Sequence, residues 1–425
     1  MGAWQATVVG NLLHFSNGRS SPPRSANLQF PVYGSNGIIG SSSTSNADEN
    51  TIIVGRVGSY CGSLYLAETK CWVTDNAIKA SPIAENDAKF LFYLLQTLDL
   101  NNRRAGSGQP LLNQQILSTI QVYVPEPEEQ NAIAAVLSAL DDKIELNRRM
   151  NETLEASARA LFRDWFVDFG PVKAKAAAQA ALGGPAQNHQ AKAVPVTPNP
   201  ATFAPEIWSL FPDALDDEGK PEGWQEFRLD ELADYRTGSI NPGNQPDTLF
   251  EHYSLPAYDA REQPALDLGS TIKSNKTQIP SGAILLSKLN PETPRVWIPD
   301  LPAARPQVAS TEFLAFVPKK KVGMALVYSL FNETTFRQTL AGMVTGTSKS
   351  HQRVSPGAVT KLIVLTADPQ IFSTFEKVVG PMLDQILANR LQSRTLAQTR
   401  DMLLPKLMSG EIRVADGARA VDDAL

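Results

Sequence analysis

Two short stretches carry residue types that could catalyse a reaction or bind phosphate. Asp213, Glu218 and Lys220 are the residue types of a nuclease site, but they crowd together in an acidic segment. The run from Gly346 to Ser350 is similar to a phosphate-binding loop, yet it lacks the Gly-x-x-x-x-Gly-Lys-Ser/Thr spacing that surrounds a phosphate. No Asn-Pro-Pro-aromatic or Asp-Pro-Pro-aromatic motif of an amino-methyltransferase is present. We therefore expect no catalytic site in this chain.

Cysteine and histidine, the usual zinc ligands, are sparse. Cys61 and Cys71 are ten residues apart with no cluster of further ligands beside them, and the four histidines are scattered. Zinc sites need three or four such ligands at short spacings. We predict no metal site and reduced structural thiols.

Composition restricts the possible partners. The chain has 425 residues and a formal net charge of −5. Residues 1–110 hold 8 basic and 7 acidic side chains, and residues 224–350 hold 13 of each. A surface that binds nucleic acid must therefore arise from charges sorted in space. No apolar run approaches the ~20 residues of a membrane helix, and no signal peptide begins the sequence, so we expect a soluble, cytoplasmic protein.

An internal repeat organises the whole sequence. The first set of matched residues, at an offset of 220, pairs Trp4, Gln5, Leu12, Phe15 and Gly18 with Trp224, Gln225, Leu232, Tyr235 and Gly238. Residues 113–166 also match residues 355–408 without a gap, at an offset of 242. The order is therefore head, helical segment, head, helical segment. The second head carries about 22 more residues than the first.

Both helical segments have the heptad spacing of a coiled coil, with inward positions that alternate by four and three. The predicted seam of the first helix is Ile133, Leu137, Leu140, Ile144, Asn147, Asn151, Leu154, Ala158, Leu161 and Trp165. The predicted seam of the second is Phe375, Val379, Met382, Ile386, Asn389, Ser393, Leu396, Arg400, Leu403 and Leu407.

The repeat makes each helix the natural partner of the other. Because a head separates them, we expect an antiparallel, pseudo-twofold pair. Residues 125–129 should begin the first helix, and Gly170-Pro171 should end it. Gly380-Pro381 predicts a kink or a restart in the second. Asn147 and Asn389 are equivalent, and buried amides there would penalise wrong registers. The alternative is that each helix packs only on its own head.

Short β-type runs separated by Gly, Ser and Asn dominate both heads. Those of the first head lie at 30–40, 51–56 and 71–73, before a predicted helix at 88–98. Those of the second lie at 282–288, 295–298 and 313–317, before a predicted helix at 323–340. We predict an α+β fold with two mixed α/β heads separated by two long antiparallel helices. The predicted segments are 1–124 (first head), 125–169 (helix), 170–223 (linker or loose insertion), 224–366 (second head) and 367–425 (helix and tail).

Four stretches carry a family resemblance. They are 346–355 (GTSKSHQRVS), 400–412 (RDMLLPKLMSGEI), the end of the first helix at 165–169 (WFVDF) and the loop at 30–40. With them, the chain resembles the specificity subunits of type I restriction-modification systems over nearly its whole length. Residues 173–223 depart from that pattern in length and composition.

The resemblance implies a non-enzymatic subunit with two target recognition domains, each reading one half of an asymmetric, bipartite DNA site. The helices would separate these domains and dock two modification subunits, which bind S-adenosylmethionine and methylate adenine. Restriction subunits would add ATP- and Mg²⁺-dependent translocation and cleavage. This chain itself would bind no cofactor.

Loop side chains are the candidates for DNA contacts, because base edges and phosphates bind Arg, Lys, Asn, Gln, Ser and Thr. In the first head the candidates are Arg19, Tyr33, Ser35, Asn36, Arg56, Ser59, Tyr60, Arg103 and Arg104. In the second head they are Arg236, Ser239, Asn241, Lys273, Lys276, Lys288, Asn290, Lys349, His351 and Arg353. The alternative for each is a solvated surface or turn residue.

A second class of function also fits near-neutral heads, namely a coiled-coil adapter that assembles protein partners and does not bind DNA. Purification alone, compared with co-expression with a methyltransferase, would separate the two classes. For the DNA-binding class we predict that Lys349→Ala weakens binding and makes it less salt-dependent. We also predict that exchanging residues 1–110 alters one half-site only.

Overall fold

The computed structural model describes residues 4–103, 111–181, 205–299, 303, 305–345 and 352–425. The chain packs as two compact units. Unit 1 consists of Met1–Arg148 with Arg390–Leu425, and unit 2 consists of Arg149–Asn389. The packing groups the chain differently from the five predicted segments, because each long helix contributes part of its length to each unit.

Unit 1 is built on small, mainly antiparallel sheets. Its strands are β1 (Gln5–Val8), β2 (Leu13–Asn17), β3 (Phe30–Gly34), β4 (Gly37–Ser42), β5 (Thr51–Gly55), β6 (Leu64–Ala67), β7 (Trp72–Val73), β8 (Ala77–Pro82) and β9 (Gln121–Val124). Its helices are α1 (Ala88–Gln96), α2 (Gln114–Ser118) and the first part of α3 (Pro127–Phe166). The sheet orders are β2-β8-β5-β6, β4-β3-β7 and β1-β9, and only β3 and β7 pair in parallel. α1 packs on the four-stranded sheet.

Unit 2 has the same plan with a larger second sheet. After the rest of α3 come α4 (Gly170–Ala181) and α5 (Pro205–Trp208). The strands are β10 (Gln225–Arg228), β11 (Ala233–Arg236), β12 (Ser239–Ile240), β13 (Leu249–Tyr253), β14 (Ala265–Leu268), β15 (Lys276–Gln278), β16 (Ile284–Ser287), β17 (Val296–Trp297), β18 (Gln307–Ala309), β19 (Phe313–Pro318) and β20 (Ile363–Ala367). The helices among them are α6 (Leu229–Leu232), α7 (Leu255–Arg261), α8 (Met324–Asn332), α9 (Thr334–Gly342) and α10 (Pro356–Thr360). The sheet orders are β11-β19-β16-β17, β12-β15-β18-β13-β14 and β10-β20.

The chain ends with α11 (Pro369–Met408) and α12 (Val414–Asp422). Both α3 and α11 are 40 residues long, and they begin 242 residues apart, as the repeat predicts. None of the helices in the described residues combines the length and apolar character that a membrane span needs.

Strand register shows where the second head is longer. Phe15, Ala80 and Ile52 form a cross-strand row in unit 1, and Tyr235, Phe316 and Ile284 form the same row in unit 2. In chain order, the offset between the two copies is 220, 232 and 236 residues along this row, and it is 242 at α2 and α10. The extra residues therefore enter at three places. The largest insertion lies between β11 and β16, where unit 2 builds most of its five-stranded sheet.

The two long helices are antiparallel partners in each unit. In unit 1, Asn147 Nδ2 donates to Gln392 Oε1 at 2.9 Å and to Ser393 Oγ at 3.2 Å. In unit 2, Asn389 Nδ2 donates to Asn151 Oδ1 at 2.8 Å. Asn147 and Asn389 are equivalent in the repeat, and so are Asn151 and Ser393. The same contact is therefore made in both units, with the donor on α3 in unit 1 and on α11 in unit 2.

Most of the predicted seam is inside. The buried members are Ile133, Leu137, Leu140, Asn147, Ala158, Trp165, Phe375, Val379, Ile386, Asn389, Leu396, Leu403 and Leu407. The half-buried members are Ile144, Asn151, Leu154, Leu161, Met382, Ser393 and Arg400. The predicted fold class, with mixed α/β heads and two long antiparallel helices, is confirmed.

Three local predictions are wrong. The helix predicted at 323–340 is two helices, because the chain at Glu333 is extended (φ −71°, ψ 139°) and its carboxylate caps α9 through the N–H groups of Thr335 and Phe336. α3 ends at Phe166, and Gly170 begins α4 instead of ending α3. The predicted restart at Gly380-Pro381 does not occur, since α11 is continuous there and Val379 and Leu383 are buried in the core of unit 2. The alternative of a kink at this position stays a prediction.

Part of the stretch predicted as a linker or loose insertion is packed in unit 2. Residues 170–181 form α4, and Val172 and Phe211 are buried in the same core as Trp165. Residues 182–204 lie outside the described residues. The sequence shows little periodicity here, although Phe211 is buried and Ile207, Leu210 and Leu215 pack beside it.

Candidate nucleic-acid interface

One edge of unit 1 collects five of the predicted contact residues. Ser35 and Asn36 form the two-residue turn between β3 and β4, and Arg56, Ser59 and Tyr60 follow β5. Gly55 brings the two loops together. A Cβ atom placed there would lie 2.2 Å from Tyr60 O and 3.0 Å from Ser35 O, so only glycine fits.

Segment 73–76 ties two arginines to the same edge. Arg19 N donates to Val73 O at 3.0 Å, and Arg56 N donates to Asn76 O at 2.9 Å. Arg19 is exposed, whereas Arg56 is half-buried and its Nε has no hydrogen-bond partner among the described residues. The backbones of two arginines are thus tied to residues 73–76, and Thr74 N in the same segment donates to Tyr33 O on the strand before the turn. Arginine and small polar side chains can donate to phosphate oxygens and to acceptor atoms on base edges.

Unit 2 presents the same loop with other residues. Lys288 follows β16 as Arg56 follows β5, 232 residues apart, and this is the offset of the strands themselves. The next residue in each unit forms an isolated antiparallel β-bridge with a later part of the chain. Val57 pairs with Leu111 in unit 1, and Leu289 pairs with Arg353 in unit 2. The matching hydrogen bonds are Leu112 N to Arg56 O and Val354 N to Lys288 O, each at 3.1 Å.

The second residue after Arg56 and after Lys288 has a left-handed backbone conformation in both units. Gly58 has φ +73° and Asn290 has φ +47°. Asparagine tolerates this region better than most side chains do. Asn290 Oδ1 is buried without a hydrogen-bond partner among the described residues, and Asn290 N donates to Gln352 O at 3.0 Å. Lys288, Asn290 and Arg353 are therefore brought together.

Arg353 is already engaged by a carboxylate. Its guanidinium contacts both oxygens of Glu312, with Nε to Oε2 at 3.0 Å and Nη2 to Oε1 at 3.0 Å. The hydrogen bonds and the negative charge of Glu312 raise the pKa of Arg353. This pair holds the loop, so a phosphate contact from Arg353 would compete with Glu312.

A second group in unit 2 lies at the β12 edge of its five-stranded sheet. Ser239 pairs with Thr277 and Ile240 with Lys276 across β12 and β15. Asn241 accepts a hydrogen bond from Gly243 N at 3.0 Å, and Lys273 Nζ donates to Ser270 O at 2.7 Å. Burial lowers the pKa of Lys276, although nearby Asp267 opposes the shift. These residues are polar and close together, as a contact surface requires.

The remaining candidates have other surroundings. Tyr33 is 9% exposed and its ring packs on Tyr65 with centroids 6.2 Å apart, so we correct its role from base contact to packing. Arg236 is exposed and paired with Asp234 at 2.9 Å. Arg103 Nε donates to Leu98 O at 2.9 Å. The predictions for Arg104, Lys349 and His351 lie outside the described residues.

Comparisons with known proteins show which sequences this chain resembles. A family model, "Type I restriction modification DNA specificity domain", matches residues 1–156. The type I restriction enzyme HindI specificity subunit of Haemophilus influenzae is 25% identical over 366 residues, which cover 76% of this chain and 77% of that protein. The MjaIX specificity subunit of Methanocaldococcus jannaschii is 26% identical over 346 residues, which cover 77% of this chain and 70% of that protein.

The chain is thus similar to type I specificity subunits over most of its length. A crystal structure of a type I S subunit from M. genitalium has the same fold, with a TM-score of 0.58, 15% identity and coverage of 96% of both chains. The predicted family resemblance is thus confirmed over most of the sequence.

The acidic stretch first considered for catalysis makes structural ion pairs, while residues 346–350 lie outside the described residues. Asp213 pairs with Lys175 at 3.1 Å, while Lys220 contacts Glu218 at 3.0 Å and Glu226 at 2.7 Å. Two members of the supposed nuclease triad, Glu218 and Lys220, thus pair with each other, whereas Asp213 pairs with Lys175. Within the described residues, no group of three or more His, Cys, Asp or Glu could hold a metal ion. Cys61 and Cys71 are buried free thiols.

Some residues that shape the interface were missed. Gly55 has no side chain, and residues 73–76 act here through their backbone, yet together they set the spacing of the candidate loops. The equivalence of Arg56 and Lys288 was also missed, because the offset of 232 is marked by strand register and not by identical residues. Residues just after matched strands were the only signal that could have found it.

Proposed function

We propose that this chain is the DNA-recognition subunit of a type I restriction-modification complex. The observation that carries the proposal is the loop built twice, after β5 and after β16, with Arg56 in one head and Lys288 in the other. The backbone connections are the same and the side chains around them differ. Each head therefore reads one half of a bipartite site, and the two halves have different sequences.

The long helices separate the heads and dock the modification subunits. Exposed apolar side chains on these helices support this role, since isolated coiled-coil surfaces are normally polar. In unit 1, Leu146 is 50% exposed, and Leu391 and Met402 are each 54% exposed. A docked helix would cover them.

The chemistry belongs to the partner subunits in this proposal. Modification subunits supply S-adenosylmethionine and transfer its methyl group to adenine, and restriction subunits supply ATP and Mg²⁺. The chain contributes sequence selection and spacing. Its working place is then the cytoplasm, where the chromosome is.

Methylation mapping tests the proposal. A host that lacks adenine methylation is given this chain together with the modification subunit of the same system, and its genome is sequenced for methylated adenine. We expect one motif with two specified parts and an unspecified spacer. A host with the modification subunit alone is the control and should show no motif. No new methylation, or one contiguous motif, contradicts the proposal.

A further inference from the structure

A groove of about 620 Å³ opens beside Trp4 in unit 1. Its apolar lining includes Trp4, Ile133, Leu407, Ile412 and Val414. Ile133 and Leu407 are each only 1% exposed, so the floor is part of the core. Trp4 is half-buried and rests on the left-handed Gly410, where an added Cβ atom would lie 3.3 Å from Trp4 Cε2.

Unit 2 shows what fills the equivalent place. Trp224 is the repeat position of Trp4, and Trp165 is the repeat position of Leu407. The ring of Phe211 inserts against both, with centroids 5.2 Å from Trp165 and 6.2 Å from Trp224. Phe211 is only 2% exposed. An aromatic side chain from outside the repeated elements therefore covers the tryptophan in unit 2.

The segment that carries Phe211 is held by charge as well as by its ring. Lys175 Nζ donates to Phe211 O, and it pairs with Asp213 Oδ1 at 3.1 Å. Ile207, Leu210 and Leu215 pack half-buried on either side. This short segment thus shows what kind of chain could fill the groove of unit 1, namely one with an aromatic side chain and a charged residue beside it.

The groove of unit 1 favours a basic neighbour for the aromatic side chain, whereas Phe211 of unit 2 has the acidic Asp213 beside it. Glu128 and Glu129 line it on the first turn of α3, against the single guanidinium of Arg413. Their repeat positions in α11 are the uncharged Gln370 and Ile371. An occupant with an acidic residue beside its anchor would be repelled there, whereas a lysine or arginine would be attracted.

We propose that the groove beside Trp4 binds a segment of the modification subunit that inserts a large aromatic side chain, as Phe211 does in unit 2, next to a lysine or arginine that faces Glu128 and Glu129. This inference rests on the proposed function for the presence of that partner. It assigns the partner a second contact besides the exposed Leu146, Leu391 and Met402. Aromatic anchors in such pockets dominate the affinity of many interfaces.

A peptide taken from this chain tests the chemistry of the groove. The probe is a fluorescent copy of residues 205–215 that carries Glu206→Lys and Asp213→Lys, titrated with the full chain by anisotropy. We expect it to bind, and we expect Phe211→Ala in the peptide or Glu128→Lys in the chain to weaken binding about tenfold or more. Glu128 is exposed, so its substitution leaves the fold intact. Equal binding of the unmodified peptide or of the Phe211→Ala peptide overturns the proposal.

Photo-crosslinking identifies the occupant in the assembled complex. A photoreactive residue replaces Glu128, and the purified chain is irradiated with the modification subunit. We expect a cross-link to a segment of that subunit with an aromatic residue beside Lys or Arg. Cross-linking only to a second copy, only to residues 182–204 of the same chain, or to nothing overturns the proposal. If methylation by that complex persists in those cases, the groove assignment fails and the DNA-recognition role stands.

Discussion

The two units use different chemistry where the head meets the long helices. In unit 1, Tyr93 on α1 donates to Asp141 on α3 at 2.6 Å, and Arg400 on α11 binds the same carboxylate. Burial and the charge of Asp141 raise the pKa of Tyr93, which keeps its phenol protonated as the donor. The repeat positions in unit 2 are Ser329, Leu383 and Ala158, all of them buried.

Unit 2 instead packs aromatic side chains at other positions, between its parts of α3 and α11. Phe375 contacts Phe162, Trp165 and Phe166 with ring centroids 6.0, 5.5 and 5.3 Å apart. The repeat positions in unit 1 are the aliphatic Ile133, Leu404, Leu407 and Met408. A hydrogen-bonded network fixes the relative orientation of the elements it joins, whereas aromatic packing stabilises mainly by burying apolar surface. The comparison teaches that the repeat preserves the backbone register, while the side chains that join the elements differ in kind between the two units.

The largest expected effect comes from the aromatic junction. Trp165→Ala removes a fully buried indole from unit 2 and should lower the free energy of unfolding by about 3–5 kcal/mol. Leu391→Ala, at a side chain that is 54% exposed, is the control and should change stability little. Chemical denaturation measures both. A cost below about 1 kcal/mol for Trp165→Ala would show that the aromatic cluster is not the core of the junction.

The polar junction should show strong coupling. Asp141→Leu and Arg400→Ala install the residues of unit 2. Arg400 then keeps only its pair with Asp401, and Asp141 keeps only the hydrogen bond from Tyr93, so each single change should cost about 1–2 kcal/mol. The double variant should cost less than the sum of the two, by about 1–2 kcal/mol. Thermal or denaturant unfolding of all four proteins gives the cycle. Strict additivity would mean that the two charges do not stabilise each other.

The recognition loops should differ only in the half-site that they affect. Arg56→Ala and Lys288→Ala should each weaken DNA binding by the assembled complex by about 1–2 kcal/mol and lower the salt slope by about 0.9. Anisotropy titrations with each half-site scrambled in turn measure this. The exposed Lys377→Ala on α11 is the control. If both variants become insensitive to the same scrambled half, the one-head, one-half assignment is wrong.

The smallest expected effect concerns how the equivalent helices α1 and α8 are capped. Asp87 caps α1 from its own chain segment, with Phe90 N donating at 2.7 Å, whereas Glu376 on α11 accepts from Met324 N and Ala325 N of α8 at 3.1 and 3.0 Å. Asp87→Ala and Glu376→Ala should each cost about 1 kcal/mol in unfolding experiments.

A pH series separates the two caps. Burial raises the pKa of Glu376 above its ordinary 4.5, despite the hydrogen bonds from the α8 backbone. The native state then binds this proton more readily than the unfolded state, so its contribution to stability is complete below 4.5 and is lost as pH rises through the native pKa. Glu376→Gln should remove that slope relative to the parent protein. An unchanged slope would show that the carboxylate is not perturbed in the native state.

The sequence predicted the periodic parts of the molecule and missed those that depend on distant contacts. The heptads of α3 and α11 are local patterns, and they gave both helices and the seam pair Asn147 and Asn389. The break at Glu333 depends on whether one carboxylate caps or continues a helix, and propensity does not decide that. The burial of Phe211 depends on Trp165 and Trp224, which are far away in sequence.

The recognition surface was predictable by region and less so by residue. Arg56 and Lys288 do lie in loops after strands, as the sequence predicted, and their contact with DNA stays a prediction. Tyr33 lies on a strand next to such a loop, and its direction depends on the pleat and on the neighbouring Tyr65. Residue-level roles therefore needed the strand register.

Exchange of one head tests the central claim most directly. Residues 1–110 are replaced by the corresponding head of another specificity subunit, and the adenine methylation of a host that carries the hybrid and the modification subunit is mapped. The account predicts that one half of the motif changes to that of the donor protein, while the other half remains as in the parent. A motif altered in both halves, or in neither, would contradict the assignment of one half-site to each head.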